Sequence, residues 1–361
     1  MIDFRYHIVS LISVFLALAV GIALGAGPLK ETIGDTLTGQ VEVLRTEKED
    51  LRAQLDATGG DLAAVEAYAA ASGDRLLPGT LTDRRVALVL LDEVPAAEVE
   101  GLTDRLTRAG ATVSATATVN DTWTDPSLAT YRRTLAGTLV SYLAAPPAAD
   151  AGTDVELAEA LVSGLTGADS TSPDTLSENA ASLLDVLAEG DRALVSFAQD
   201  VTRPADAVVV VVGTARAASG ATPSPDAVAA ATQAHLAVAS AAQRLSEGAV
   251  LAGNTRSGDS LVAAARADGD LTGALTTVAD ATTVAGQVVV PLALATSIAG
   301  QPAHYGYGDG LTPLPPAVQL TPVDRTPAVP GGDAAPTGEG GEPTAPEGEG
   351  GAPAGDDGGA G

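Results

Sequence analysis

Val86-Ala87-Leu88-Val89-Leu90-Leu91 decides how the rest of this chain is read. The run is apolar at every position and bounded by charge, with Arg84-Arg85 before it and Asp92-Glu93 after it. A strand with water on one face alternates apolar and polar side chains. One that is apolar throughout is buried on both faces, as in a parallel sheet covered by helices. Beyond it Val99, Leu102, Leu106 and Ala109 fall on one helical face, and Gly110 supplies a stop. Residues 112–119 return to β-rich composition and complete a βαβ unit. A second unit begins near Ala207 with five consecutive valines, Val208-Val209-Val210-Val211-Val212. Residues 225–245 read as a long helix with Asp226 near its start and Gly248 after its end. Residues 249–252 give a short third strand, 278–284 another, and 286–299 a closing helix interrupted or bent near Pro291. The stretch 127–200 reads as mostly helical with loops. Strands alternating with helices predict an α/β domain over 80–310, with a parallel sheet covered on both faces. Such strands are not those of an outer-membrane barrel, which alternate apolar and polar residues between short turns.

Outward on the amino-terminal side lies an uncharged apolar stretch, residues 8–26. As a helix it spans about 28 Å, close to the thickness of a bilayer core. Gly27-Pro28 ends it, because proline cannot continue a helix. Arg5 and the amino terminus favour a cytoplasmic stub over residues 1–7; Lys30 opposes this weakly. The expected topology is a single transmembrane anchor with the bulk of the chain outside. The rival is a cleaved signal peptide, for which Ala23 and Gly25 are small enough. A single arginine is a poor start for such a peptide, and 19 residues is long for its apolar core.

Residues 30–72 read as a helix with heptad spacing. Taking d and a positions in turn gives Leu37, Val41, Leu44, Lys48, Leu51 and Leu55. Thr58 comes next, and Gly59-Gly60 is expected to interrupt, which leaves about three heptads of coiled coil. Lys48 at an a position weakens a seam but specifies register and oligomer number, and Glu47 and Arg52 face each other across a parallel dimer. The alternative is a single amphipathic helix packed on its own domain. Within the anchor, Ala17, Gly21 and Gly25 recur every four residues, the spacing that lets two membrane helices approach closely. Both signals point to parallel self-association.

The 361 residues carry 19 basic and 46 acidic side chains, a net charge of −27, which excludes a nucleic-acid partner. There is no cysteine, so disulfides, thiolate metal sites and cysteine nucleophiles are excluded. The three Phe, one Trp and six Tyr would make only thin aromatic girdles for a membrane barrel. Residues 311–361 are dominated by Pro, Gly, Ala and Glu with Arg325 as the last cation, and read as a disordered acidic tail.

The chemistry-bearing inventory is short. The histidines are His7, His235 and His304. No P-loop, HExxH or nucleophile elbow is present, and no enzymatic activity is expected. His235 lies in the long helix 225–245, where a packed or surface histidine is the ordinary reading. His304 sits in Pro302-Ala303-His304-Tyr305-Gly306-Tyr307-Gly308, a segment suited to packing or docking. These two are the metal-ligand candidates, and no resident cofactor is expected.

The opening Arg5-Tyr6-His7-Ile8-Val9-Ser10-Leu11, with Val14-Phe15-Leu16-Ala17-Leu18-Ala19-Val20-Gly21-Ile22-Ala23-Leu24-Gly25, resembles the signature of the actinobacterial copper transporter MctB family. The order of anchor, coiled coil and Arg84-Arg85-Val86 is similar too, as are Ala285-Gly286-Gln287 and His304-Tyr305-Gly306. The resemblance covers residues 1 to about 310. It implies an envelope protein of copper efflux and copper resistance, pore-forming in the outer membrane. Soft thiolate and thioether ligands select Cu(I). With no cysteine and Met1 as the single methionine, one chain has no tight Cu(I) site, so copper is expected as transported ion. With one membrane helix, a pore would need oligomerisation of that helix or a large rearrangement, and the anchor has no ionisable residue to line it; an unidentified envelope protein is the expected partner. Two functions remain open: copper efflux through an oligomeric envelope assembly, and a membrane-anchored dimeric scaffold without metal transport. A third, an envelope hydrolase, lacks a nucleophile motif.

Overall fold

The computed structural model describes residues 4–26, 28–148, 150–213, 224–254 and 260–327, with the side chains of residues 26 and 28–36 outside that description. Two helices precede the domain. α1 (Phe4–Ala26) carries the apolar stretch and is long and apolar enough to cross a membrane. α2 (Pro28–Leu76) opens on Pro28, a residue whose missing N–H costs nothing at the first helical position. It runs for 49 residues, straight through Gly59 and Gly60. The expected interruption does not occur. A helical glycine costs about 1 kcal/mol relative to alanine, and the flanking residues keep the hydrogen-bonded ladder.

The domain is a seven-stranded sheet. β1 (Arg85–Leu91) is followed by α3 (Ala96–Arg108) and β2 (Thr112–Val119). Gly110 takes φ +93° and closes α3, with Ala111 N–H donating to the Leu106 carbonyl at 3.0 Å. The helical stretch comprises α4 (Ala129–Leu139), α5 (Thr153–Thr166) and α6 (Glu178–Ala188). It ends in β3 (Val195–Phe197), an edge strand antiparallel to β2 and too short to leave a periodic signature. β4 (Ala207–Val212), α7 (Pro225–Leu245) and β5 (Ala249–Gly253) follow the expected order. α8 (Leu261–Ala267) comes next, then β6 (Thr276–Ala279). The strand expected at 278–284 is thus displaced. Asp280 turns the chain at φ +56°, and the Thr283 hydroxyl accepts from Gly286 N–H at 3.1 Å, so Val284 already belongs to α9 (Val284–Ile298). α9 passes through Pro291 without a break in its span. β7 (His304–Tyr305) extends the sheet where the sequence suggested a docking segment.

The spatial order is β3-β2-β1-β4-β5-β6-β7, parallel except for β3. Both faces are buried. Along β1, Ala87, Val89 and Leu91 enter one core, with Trp123, α5, α6 and α7. Val86, Leu88 and Leu90 enter the other, with α3 and α9. The valines divide the same way, Val208 and Val210 against Val209 and Val211. At about 25 cal/mol per Å² of apolar surface, these two layers supply most of the drive to fold.

Gly73 brings the end of α2 onto α9, where a Cβ would lie 2.7 Å from the Val288 Cγ2. Asp74 pairs with Arg108 of α3 at 2.8 Å. The segment 311–327, assigned by composition to the tail, is part of the domain. Val318 and Leu320 pack on the α3–α9 core, and Arg84 donates to the Thr321 carbonyl at 3.0 Å. Arg325 pairs with Asp206 at 2.5 Å and donates to the Asp83 carbonyl at 2.9 Å. Pro and Gly remove the periodicity by which sequence reading recognises structure, but they do not prevent an extended segment from packing. The remaining tail, 328–361, lies outside the described residues.

Candidate functional site

In an open α/β sheet, ligands bind beyond the carboxyl ends of the strands, near the point where strand order reverses. Here that point lies between β1 and β4. Among the described residues the chain is close-packed there: a Cβ on Gly213, just after β4, would collide with the Glu93 carbonyl, and Gly213 N–H donates to the Leu91 carbonyl at 2.8 Å. The opening is displaced by one strand, to a cleft of about 610 Å³ over the ends of β1 and β2.

The cleft is built from three segments. After β1 the chain turns at Asp92, which holds φ +61°, and continues through Glu93 and Val94. After β2 come Asn120, Asp121 and Thr122. The third wall is Gly190, Asp191 and Ala193, before β3. Hydrogen bonds fix the last two walls together. Asn120 Nδ2 and Thr122 Oγ1 both donate to the Ala193 carbonyl, at 2.9 and 2.7 Å. Arg132, buried on α4, donates to the carbonyls of Thr122 and Asp125 at 3.1 and 2.6 Å and holds the turn from beneath. The lining carries four carboxylates, Asp92, Glu93, Asp121 and Asp191, and no lysine or arginine.

His235 reaches Asp92 from α7. Its Nδ1 lies 3.9 Å from Asp92 Oδ2, and its side chain is 9% exposed. Burial pushes the imidazole below its ordinary pKa, against the opposing pull of Asp92. Burial likewise pushes the Asp92 carboxyl up; His235 draws it down and Asp121 adds to the rise. Burial thus favours the neutral imidazole, which has a lone pair to offer.

His304 is differently placed. Its Nε2 donates to the Thr272 carbonyl at 3.1 Å, which leaves Nδ1 to accept from the Thr277 hydroxyl at 2.9 Å. Both ring nitrogens are engaged, so as a metal-ligand candidate His304 is set aside. Burial, then Arg266, lowers its pKa, and the Thr272 carbonyl opposes them. The two candidate histidines sit on α7 and β7 and share no partner. Among the described residues no group of three His, Asp or Glu side chains is arranged to hold a metal.

The association residues stand apart from the cleft. Arg5, Tyr6, His7, Ala17, Gly21 and Gly25 are exposed on α1, and no atom lies within 4 Å of a Cβ placed on either glycine. On α2, Leu37, Val41, Leu44, Leu51 and Leu55 are 47–71% exposed, and Lys48 is exposed among them. They do not pack on their own domain. Sequence reasoning missed Asp92 and Asp121. The available signal was an acidic pair directly after the first buried strand, the place where such sheets bind ligands.

Residues 1–316 match the family model described as copper transport outer membrane protein, MctB. Curated relatives named copper transporter MctB, from Mycobacterium bovis and Mycobacterium tuberculosis, are 29% identical over 321 residues. The alignment spans 86% of this chain and 98% of each relative.

Proposed function

The chain belongs to the MctB family of copper transport outer membrane proteins, and from that premise we propose that it serves copper efflux as a membrane-anchored, parallel oligomer of the cell envelope. In this reading α1 spans a membrane with Arg5 on the cytoplasmic side. α2, about 73 Å long at 1.5 Å per residue, carries the α/β domain away from the bilayer. The role is not enzymatic, and copper is cargo rather than a resident cofactor.

The observation that carries the oligomer is the bare apolar stripe on α2. Five large apolar side chains at heptad spacing stand in solvent, although each loses about 1.5–3 kcal/mol of burial there. A second copy anchored in the same membrane presents an identical stripe in parallel register, with Glu47 of one chain opposite Arg52 of the other. Since α1 has no ionisable residue between Ile8 and Ala26, copper passes between associated helices or through an envelope partner.

The test measures cell-associated copper by elemental mass spectrometry in a deletion strain complemented with wild type or Leu44→Asp. Copper should rise in the deletion and fall with wild type. Leu44→Asp should reduce the detergent-corrected mass to that of one chain and fail to lower copper. Unchanged copper in the deletion overturns the efflux reading, and an unchanged mass overturns the coiled coil. The second reading is a dimeric scaffold without metal transport. It is favoured by the absence, among the described residues, of any three-ligand metal group, and it is distinguished by failure of cell shape with normal copper.

A further inference from the structure

We propose that the cleft beyond β1 and β2 binds a divalent transition-metal cation, held between the Asp92 carboxylate and His235 Nδ1. The proposal deepens the copper reading and rests on it only for the site's role, as a station for cargo.

The first observation is the gap itself. The Nδ1–Oδ2 distance of 3.9 Å is too long for a hydrogen bond. Among the described residues nothing else bonds either ring nitrogen, although the side chain is nine-tenths buried. Its Nδ1 faces Oδ2 of Asp92, a residue that lines the cleft. Bonds of about 2.0–2.2 Å from nitrogen and oxygen donors to one ion allow the donors to stand up to about 4.2 Å apart. One cation thus completes both groups with little movement.

The second observation is charge. Four carboxylates and no cation line the cleft, which favours a positive ligand by several carboxylate interactions in a partly desolvated space. The donor set discriminates among cations. A neutral imidazole beside carboxylates suits Cu(II) above Zn(II), offers little to Mg(II) or Ca(II), and lacks the soft sulfur that Cu(I) selects. Two protein donors leave the other coordination positions to water. Such a site loads and unloads readily, which a cargo station requires and a structural metal centre does not.

The experiment uses the full chain in detergent at pH 7, titrated with Cu(II) and followed by calorimetry and electron paramagnetic resonance. One equivalent should bind with nitrogen hyperfine splitting from a single imidazole. His235→Gln and Asp92→Asn should each weaken it at least about tenfold, as loss of a metal-site partner does. Asparagine tolerates the left-handed backbone at position 92, so that variant keeps its fold even if His235→Gln does not. His304→Gln should leave affinity within about twofold. Binding without nitrogen splitting, or splitting that survives both variants, places copper on the acidic surface and overturns the site. If binding fails while deletion still raises cellular copper, the efflux reading stands and the cleft falls. If binding holds while copper is unchanged, the reverse is true.

Discussion

At the scale of single residues, the two histidines of the α/β domain look alike in sequence and differ in what surrounds them. His304 is satisfied by Thr272 and Thr277, whereas His235 faces Asp92 across a gap. Both imidazoles are held below their ordinary pKa, chiefly by burial. The unfolded chain therefore takes up protons at a pH where the folded chain resists them. Stability is retained above about pH 6.5 and lost as pH falls below it, until the folded-state pKa is passed. Asp92 has the opposite sign, because its raised pKa makes the charged form costly once pH exceeds that value. Thermal melts at pH 7.5 and 5.5 should show a drop on acidification that is smaller in His235→Gln. Asp92→Asn should melt higher than wild type at pH 7.5. Sequence could find His235 but not the carboxylate it faces, since Asp92 follows β1 and only the folded sheet brings it to α7.

At the scale of elements, α2 is the clearest departure from the sequence reading. Gly59-Gly60 carries the local signature of a break, yet the heptad frame continues across it. Counting on from Leu55, Leu62 and Val65 fall on the same seam and are also exposed. The stripe ends where Ala69 and Gly73 turn toward the domain. No atom lies within 4 Å of a Cβ on either Gly59 or Gly60. Replacing both with alanine should therefore raise the stability of the helical stalk by about 0.8–1.0 kcal/mol each, read as a higher melting midpoint of its circular dichroism. An unchanged midpoint would mean that the pair is not helical in solution. The long buried strands β1 and β4 were legible because period and flanking charge agreed. β3 and β7, three and two residues long, were not; tertiary pairing makes such strands, and no local pattern reports it.

At the scale of the whole molecule, the segment 311–327 ties the amino ends of the strands together. It covers the α3–α9 core with Val318 and Leu320 and joins Arg84, Asp206 and Asp83 through Thr321 and Arg325. A chain ending at 327 should melt like the full protein. One ending at 310 should lose on the order of 2–4 kcal/mol, from uncovered apolar surface and three charge-assisted contacts. Equal midpoints for the two truncations would show that the segment is an ornament.

That tether also fixes which end of the domain faces which way. Arg325 donates to the carbonyl of Asp83, in the link from α2 to β1, while the cleft opens at the opposite edge of the sheet, some 20–23 Å distant for strands of six or seven residues. The chain has no cysteine, so any thiol introduced is the sole target for a dye. Pro327→Cys and Asp191→Cys, both at exposed positions, would place fluorophores at the stalk edge and the cleft edge of one rigid body. Quenching by paramagnetic Cu(II) at the second dye and not the first would turn the height of the sheet into a ruler for where the ion resides.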